Sequence, residues 1–346
     1  MIVGLDTLIS NAITNNVMPG ANYCLIADGK KYTNSLGNKA ISPSVELNNI
    51  DTIYDMASLT KVVATTTAVM ILLEQGKIRL YDSVKDYLPK FRYQGITVWN
   101  LMTHTAGLPS DVPHALYKSK EELVAQVLYV DLLYKPGIKI QYSDIGYILL
   151  GMVVEAASGM TLDVFTKQNL FEPLEMVDTG YNPVDVERCA PTENRGEFID
   201  RGYVHDEKAY TFGGVAGHAG LFSTVNDISH FLEMILNDGV YKGKQILSKA
   251  IIDLLFVPQV EEYTGVSRIP LRRGLGWIIQ GEFPVSGDIA SKNTIMHTGF
   301  TGTHIFIDRD RKIAFCMLTN RVHPTRDNNL LIPFRAKVGN YILSHF

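Results

Sequence analysis

Apolar positions recur at helical spacing over residues 5–16, with Asp6 early, and predict an N-terminal amphipathic helix. Two strand-like runs follow, at 20–28 and 31–36, around Asp28-Gly29, a pair suited to the tight turn of a β-hairpin. Residues 37–50 are polar and read as a loop. The apolar run at 56–76 predicts a buried helix that opens at Ser58 and stops at Gly76. From 79 to about 196 the pattern turns helical and loop-rich, with little strand signal. Its clearest helices fall at 98–103, 119–129, 143–158 and 162–169, separated by breaks at Gly107-Leu108-Pro109 and Pro136-Gly137. Further on, helices at 225–236, opened by Thr224, and at 248–255 precede strand-like segments at 276–281, 294–297, 304–308 and 312–319. Asp308-Arg309-Asp310-Arg311 is the turn between the last two, and 330–345 is helical again.

Strands at both ends around a helical middle predict an α/β (α+β) fold with one sheet built from both termini. The terminal helices would pack on that sheet. The expected division is a discontinuous sheet domain, 1–78 with 197–346, and a mainly helical lobe, 79–196. A cleft between two such parts is a common place for a site.

Composition narrows the classes. With 46% hydrophobic residues and a net charge of −4, signs mixed throughout, the chain lacks the basic stripe of a nucleic-acid binder. Cys24, Cys189 and Cys316 are far apart, form no CxxC pair and read as reduced thiols, without the electropositive setting of a reactive thiolate. The longest apolar stretch, 62–73, is twelve residues with three threonines, too short to span a bilayer. No basic, apolar and cleavage-site succession marks the N-terminus. The expected location is therefore cytoplasmic as the sequence stands, and extracytoplasmic if a leader has been removed.

Candidate chemistry begins where Lys61 interrupts the 56–76 run. It lies three residues after Ser58, and i and i+3 share a helix face, so ammonium and hydroxyl would be neighbours. A serine becomes a nucleophile beside a base, and a desolvated lysine can serve. Ser-x-x-Lys alone also fits an N-capping serine and an ordinary helix lysine. Tyr142-Ser143-Asp144 stands directly before the 143–158 helix, where a tyrosine could face the cleft as general base. His297-Thr298-Gly299 ends a strand-like run and precedes Phe300-Thr301-Gly302-Thr303. Backbone along that strand edge, approached closely at Gly299, could join the Ser58 N–H in an oxyanion hole. His218-Ala219-Gly220 matches the same loose pattern.

The ordered set Ser58-x-x-Lys61, Tyr142-x-Asp144 and His297-Thr298-Gly299 resembles the serine β-lactamase and penicillin-binding protein superfamily, nearest to its class C branch. That branch includes D-alanyl-D-alanine carboxypeptidases, aminopeptidases and β-lactamase-like esterases. Residues 100–109, 142–151, 217–227 and Gly274-Leu275-Gly276-Trp277 are similar to the family as well, so the resemblance runs over roughly 20–320. Val204-His205-Asp206-Glu207 before Gly213-Gly214 is similar to a penicillin-binding-protein-4B type. The resemblance implies an antiparallel sheet with an all-helical lobe. It also implies acylation of Ser58, proton transfer shared by Lys61 and Tyr142, and an oxyanion held by the N–H groups of Ser58 and Phe300. Implied partners are a small-molecule or peptide substrate of cell-wall type and β-lactams as acylating ligands, with no cofactor.

Two positions depart from the pattern. Asp144 stands where class C enzymes carry asparagine; a carboxylate only accepts hydrogen bonds, and beside Lys61 it would hold the lysine charged. That shifts the base role towards Tyr142. His297 stands where many relatives carry the lysine that attracts a substrate carboxylate, and a neutral imidazole attracts it less. Together with Thr298, Gly299 and Phe300 these residues form the expected substrate and oxyanion site. Both departures favour hydrolysis of an ester or peptide-like amide over β-lactam turnover. A slowly deacylating penicillin sensor and an inactive scaffold are the competing readings. His205, Glu207 and His218 lack a metal-ligand framework, no phosphate-binding glycine loop is present, and Trp277 reads as strand packing.

Overall fold

The computed structural model describes residues 2–112, 118–195 and 198–346. Helix α1 (Val3–Thr14) buries Leu5, Ile9 and Ala12, the one-face spacing of an amphipathic helix. Asp28 and Gly29 take left-handed conformations, φ 51° and 68°, and so close the hairpin between β1 (Gly20–Ala27) and β2 (Lys30–Ala40). The short strands β3 (Glu46–Leu47) and β4 (Tyr54–Asp55) lead into a helical run, a π turn at Lys61–Thr66 that continues as α2 (Thr67–Glu74). Then come α3 (Val84–Tyr87), α4 (Val98–Met102), α5 (Lys120–Tyr129), α6 (Asp144–Ser158) and α7 (Leu162–Thr166). The strands β5 (Gly180–Tyr181), β6 (Asn194–Arg195) and β7 (Phe198–Ile199) precede α8 (Glu207–Thr211), β8 (Leu221–Ser223) and α9 (Val225–Leu236). The chain closes with β9 (Val240–Tyr241), β10 (Lys244–Gln245), α10 (Lys249–Leu255), β11 (Val260–Glu262), β12 (Leu271–Arg273), β13 (Ile278–Ile279), β14 (Thr294–Thr298), β15 (His304–Asp308), β16 (Ile313–Leu318) and α11 (Leu331–His345).

Both chain ends build one nine-stranded antiparallel sheet, in the order β11-β12-β13-β14-β15-β16-β1-β2-β3. β1 pairs with β16, Cys24 opposite Cys316, so the N-terminal hairpin lies beside the last strands of the chain. Side chains alternate across the sheet. Cys24, Ile305 and Cys316 enter a large core shared with α2, α4, α6 and α9, whereas Tyr23, Phe306 and Phe315 enter a second core under α1 and α11. A sheet buried on both faces is apolar throughout its central strands, and each such side chain contributes roughly 1.5–3 kcal/mol of burial. The three thiols are free and buried; desolvation pushes Cys24 and Cys189 up to about 12, which leaves no thiolate nucleophile there.

Three expectations need correction. Residues 37–50 are not simply loop: β2 runs on to Ala40 and pairs with β3, because ladder bonds use the backbone whatever the side chains. The segment with little strand signal, 79–196, contributes β5, which pairs with β8, itself paired with β4, in a small sheet just before Ser58. The strand expected at 276–281 shrinks to Ile278–Ile279, because Gly276 sits at φ 81° in a tight turn where Gly274 N–H donates to Trp277 O at 2.9 Å. The domain boundary expected between 196 and 197 lies outside the described residues. Among the described residues no single helix is long and apolar enough to cross a membrane.

Candidate active site

Ser58 follows β4 through a strained residue. Ala57 has φ 45°, unusual for a side chain with a Cβ, and its N–H donates to Asp55 Oδ1 at 2.7 Å. Asp55, fully buried, also accepts from the His205 N–H at 2.7 Å. The first turn of the helical run is tight: Thr60 N–H donates to Ala57 O at 3.0 Å and Lys61 N–H to Ser58 O at 3.1 Å. That brings Lys61 Nζ to 2.9 Å from Ser58 Oγ. Lys61 is wholly buried and also donates to His218 O at 2.9 Å, while Asp144 Oδ1 lies 2.8 Å away. Two ammonium hydrogens are thereby donated, to Ser58 and His218, and the Asp144 carboxylate supplies the counter-charge. Burial alone would pull the ammonium down, but Asp144 and Tyr142 outweigh it and hold Lys61 above its usual value.

Tyr142 and Asp144 are set by the loop after α4. Ser143 caps α6 by accepting from Gly146 N–H at 3.2 Å, donates its hydroxyl to Pro109 O, and donates its N–H to His104 Nδ1 at 3.1 Å. Asp144 N–H donates to Ser110 O at 2.9 Å. The acceptor role of His104 Nδ1 requires a free lone pair there, consistent with burial and the Arg273 charge, which hold this ring well below its ordinary value. The run at 100–109 thus clamps the tyrosine from behind, its His104 ring 4.6 Å from the Tyr142 ring. Lys61 Nζ stands 5.1 Å from the centre of the Tyr142 ring.

The third element is β14 and its turn. β13 pairs with Ile295 and Met296 and stops, so that flank of β14 is open from His297 onward. Thr301 Oγ1 donates to Asp55 O at 2.8 Å and Thr303 Oγ1 to Met56 O at 3.0 Å, which ties the turn to the segment carrying Ser58. Gly299 is required there: a Cβ would fall 2.1 Å from Thr303 Oγ1 and 2.6 Å from Met56 O. From α11 the buried Arg335 donates to Gly299 O at 3.0 Å. No backbone acceptor is recorded among the described residues for the N–H of Ser58 or of Phe300, so both donors remain for a ligand. His297 is buried and donates Nδ1–H to Thr298 O at 3.0 Å. Desolvation, with Arg273 and Lys61 adding to it, lowers His297 to about 3, so the imidazole is neutral at ordinary pH.

Ser58, Tyr142, Asp144, His205, Lys208 and Phe300 line a cleft of about 270 Å³. The structure therefore brings Ser58, Lys61, Tyr142, Asp144 and the 297–300 segment into one site. Of the residues weighed for metal binding, His205 and Glu207 instead join Glu193 and Arg326 in an ion-pair cluster at the rim. His218 pairs with Asp206 at 2.7 Å, and with Asp144 these place three potential ligand atoms within 4.8 Å. Lys208 Nζ lies 3.1 Å from Asp206 and 3.4 Å from Asp144, so two ammonium groups already supply the positive charge there. Lys208, Asp55, Arg273 and Arg335 carry no local sequence signal, and Asp206 shows only as a member of a family-like run. Val204-His205-Asp206-Glu207 and Gly274-Leu275-Gly276-Trp277 flagged their neighbourhoods without pointing to these side chains.

Residues 5–340 match the family described as Beta-lactamase. The chain is 33% identical to an N-acetylmuramyl-L-alanine amidase of Bacillus subtilis (strain 168), over 97% of this chain and 86% of the relative. It is 31% identical to a putative D-alanyl-D-alanine carboxypeptidase of Escherichia coli O157:H7, over 93% of this chain and 84% of the relative. A solved class C β-lactamase superposes with a TM-score of 0.80 at 22% identity, covering 99% of this chain and 95% of that one, which bears on the fold alone. A match over nearly the whole length, together with these identities, shows that the chain belongs to the Beta-lactamase family of β-lactamase and penicillin-binding-protein-like enzymes.

Proposed function

We propose that this protein is a serine acyl-hydrolase that cleaves peptide-like amides or esters through an acyl-enzyme on Ser58. The observation that carries this reading is the 2.9 Å approach of Lys61 Nζ to Ser58 Oγ, beside Tyr142 and two unpaired backbone donors. Lys61 is held charged by Asp144 and already donates to Ser58 Oγ, so it orients the hydroxyl instead of taking its proton. The base role falls to Tyr142. Ser58 Oγ attacks the substrate carbonyl carbon, and its proton passes to the Tyr142 oxygen. The carbonyl oxygen, now negative, is held by the N–H groups of Ser58 and Phe300. Collapse breaks the bond to the leaving group, which takes the proton back from Tyr142 as an amine or alcohol. Water then attacks the ester carbonyl on Ser58, losing a proton to Tyr142; the C–Oγ bond breaks, Tyr142 passes that proton to Ser58 Oγ, and the acid leaves.

The relatives named for N-acetylmuramyl-L-alanine and for D-alanyl-D-alanine support a cell-wall-type amide as substrate class. A neutral, buried His297 offers no charge to a β-lactam carboxylate, which supports slow β-lactam turnover. The test is a turnover panel of D-alanyl peptides, muramyl amides, p-nitrophenyl esters and nitrocefin. The reading expects an amide or ester to be turned over at least tenfold faster than nitrocefin, since losing one charged contact costs about that much. Fast nitrocefin hydrolysis would contradict it.

A further inference from the structure

We infer that Arg273 is a positioning residue for the proton transfer at Tyr142, supplying the uncompensated positive charge that faces its ring. The inference deepens the acyl-hydrolase reading and rests on it.

Arg273 ends β12 just before the turn 274–277. That turn is pressed into the site: a Cβ on Gly276 would fall 2.2 Å from Thr66 Oγ1 and 2.8 Å from the Tyr147 hydroxyl. The guanidinium carbon stands 5.7 Å from the centre of the Tyr142 ring. The side chain is 8% exposed, and its Nε and Nη1 atoms are fully buried without a hydrogen-bond partner. No carboxylate pairs with it among the described residues, whereas its neighbour Arg272 is paired with Glu261 at 2.7 Å. A guanidinium buried without a counter-ion is costly, and such groups gather where charge develops during a reaction.

The surroundings of Tyr142 leave this role to Arg273. Lys61 is charged, but Asp144 at 2.8 Å cancels most of its field. His104 and His297, 4.6 Å and 6.3 Å from the ring by their centres, are held neutral by burial. Tyr147, on the next turn of α6, is pushed up by burial to about 12 and stays neutral. What remains is the Arg273 cation, which burial draws below its ordinary value and Tyr142 opposes. When the Ser58 proton moves, negative charge leaves the tyrosine oxygen, and when it returns the charge reappears. A fixed cation 5.7 Å from the centre of the ring stabilises the form of Tyr142 that accepts the proton.

The experiment is the pH profile of kcat and kcat/KM for a p-nitrophenyl ester in wild type, Arg273→Gln, Arg273→Lys and Tyr142→Phe, with Arg273→Gln also placed in Tyr142→Phe. Arg273→Gln is expected to lower kcat about 100-fold near neutral pH, with KM changed less than about threefold. Its rising limb should move to higher pH by about two units, and Arg273→Lys should recover at least about tenfold. In the Tyr142→Phe background the substitution should cost little more, since both act through one group. A uniform loss at every pH, with lysine no better than glutamine, or full additivity with Tyr142→Phe, would overturn the inference. If Arg273→Gln fails to fold, Arg273→Met takes its place: a limb moved to higher pH upholds the role and an unmoved limb overturns it. Absence of any Ser58-dependent ester hydrolysis in folded wild type would instead overturn the acyl-hydrolase reading itself.

Discussion

At the scale of single residues, burial decides which groups carry charge. Lys61 has no exposed surface yet stays an ammonium because Asp144 stands 2.8 Å away. His297, equally enclosed, has no carboxylate in contact among the described residues and stays neutral. His104 and His304 are likewise pushed well below their ordinary value by burial, reinforced by Arg273 and Arg335 respectively. These three histidines set a pH dependence of stability. Unfolded, each takes up a proton near pH 6.5; folded, each resists until far lower pH, about 3 for His297. Over that window the unfolded chain binds more protons, so stability is full above about pH 6.5 and falls as pH drops towards 3. Each histidine contributes at most about 1.4 kcal/mol per pH unit. Urea midpoints should fall between pH 7 and pH 5, and His297→Gln should show a shallower slope. A flat dependence across that range would contradict the buried-neutral assignment.

The residue scale also shows what sequence could reveal. Ser58 and Lys61 were legible because i,i+3 spacing is a local property. The pairing of Asp144 with Lys61 followed once Tyr142-x-Asp144 was placed opposite Ser58. Arg273, Asp206 and Lys208 were not legible, because their chemistry comes from contacts between distant segments and no spacing marks it. Lys208, for instance, pairs with Asp111, Asp144 and Asp206, and only the last is near in sequence.

At the scale of elements, long periodic stretches declared themselves with their caps. α9 begins after Thr224 and α10 after Ser248, whose hydroxyls accept from Asp227 and Ile251 N–H. The two-residue strands β5, β6 and β7 were invisible, since two residues show no period. Yet β5, through β8, braces β4 and so the approach to Ser58. The turn after β14 is the other element that matters, locked by Thr301, Thr303 and Arg335 to the serine segment. Gly299→Ala puts a methyl into Thr303 Oγ1 and the Met56 carbonyl, so the turn must move and Phe300 N–H with it. Loss of one oxyanion donor costs about 100-fold or more in kcat. Steady-state kinetics should show that loss with the thermal midpoint lowered by only a few degrees. An unchanged kcat would remove Phe300 from the oxyanion site.

At the scale of the whole molecule, the sheet joins the two ends of the chain and places the site where distant segments converge. Ser58 comes from the first sixth of the sequence, Tyr142 from the start of α6, and the 297–300 segment from strands that pair with the N-terminal hairpin through β15 and β16. The general architecture was legible because strand-like runs sit at both ends. The register that sets Cys24 opposite Cys316 was not, since strand pairing across some 290 residues leaves no local trace. On the function proposed, this convergence makes Ser58 the nucleophile. Intact-mass spectrometry with peptide mapping, after exposure to a fluorophosphonate probe, is the test. The expected result is a single adduct on Ser58 in the wild type and none in Ser58→Ala with its fold intact; labelling that persists in Ser58→Ala, or a folded wild type that takes no label, would contradict it.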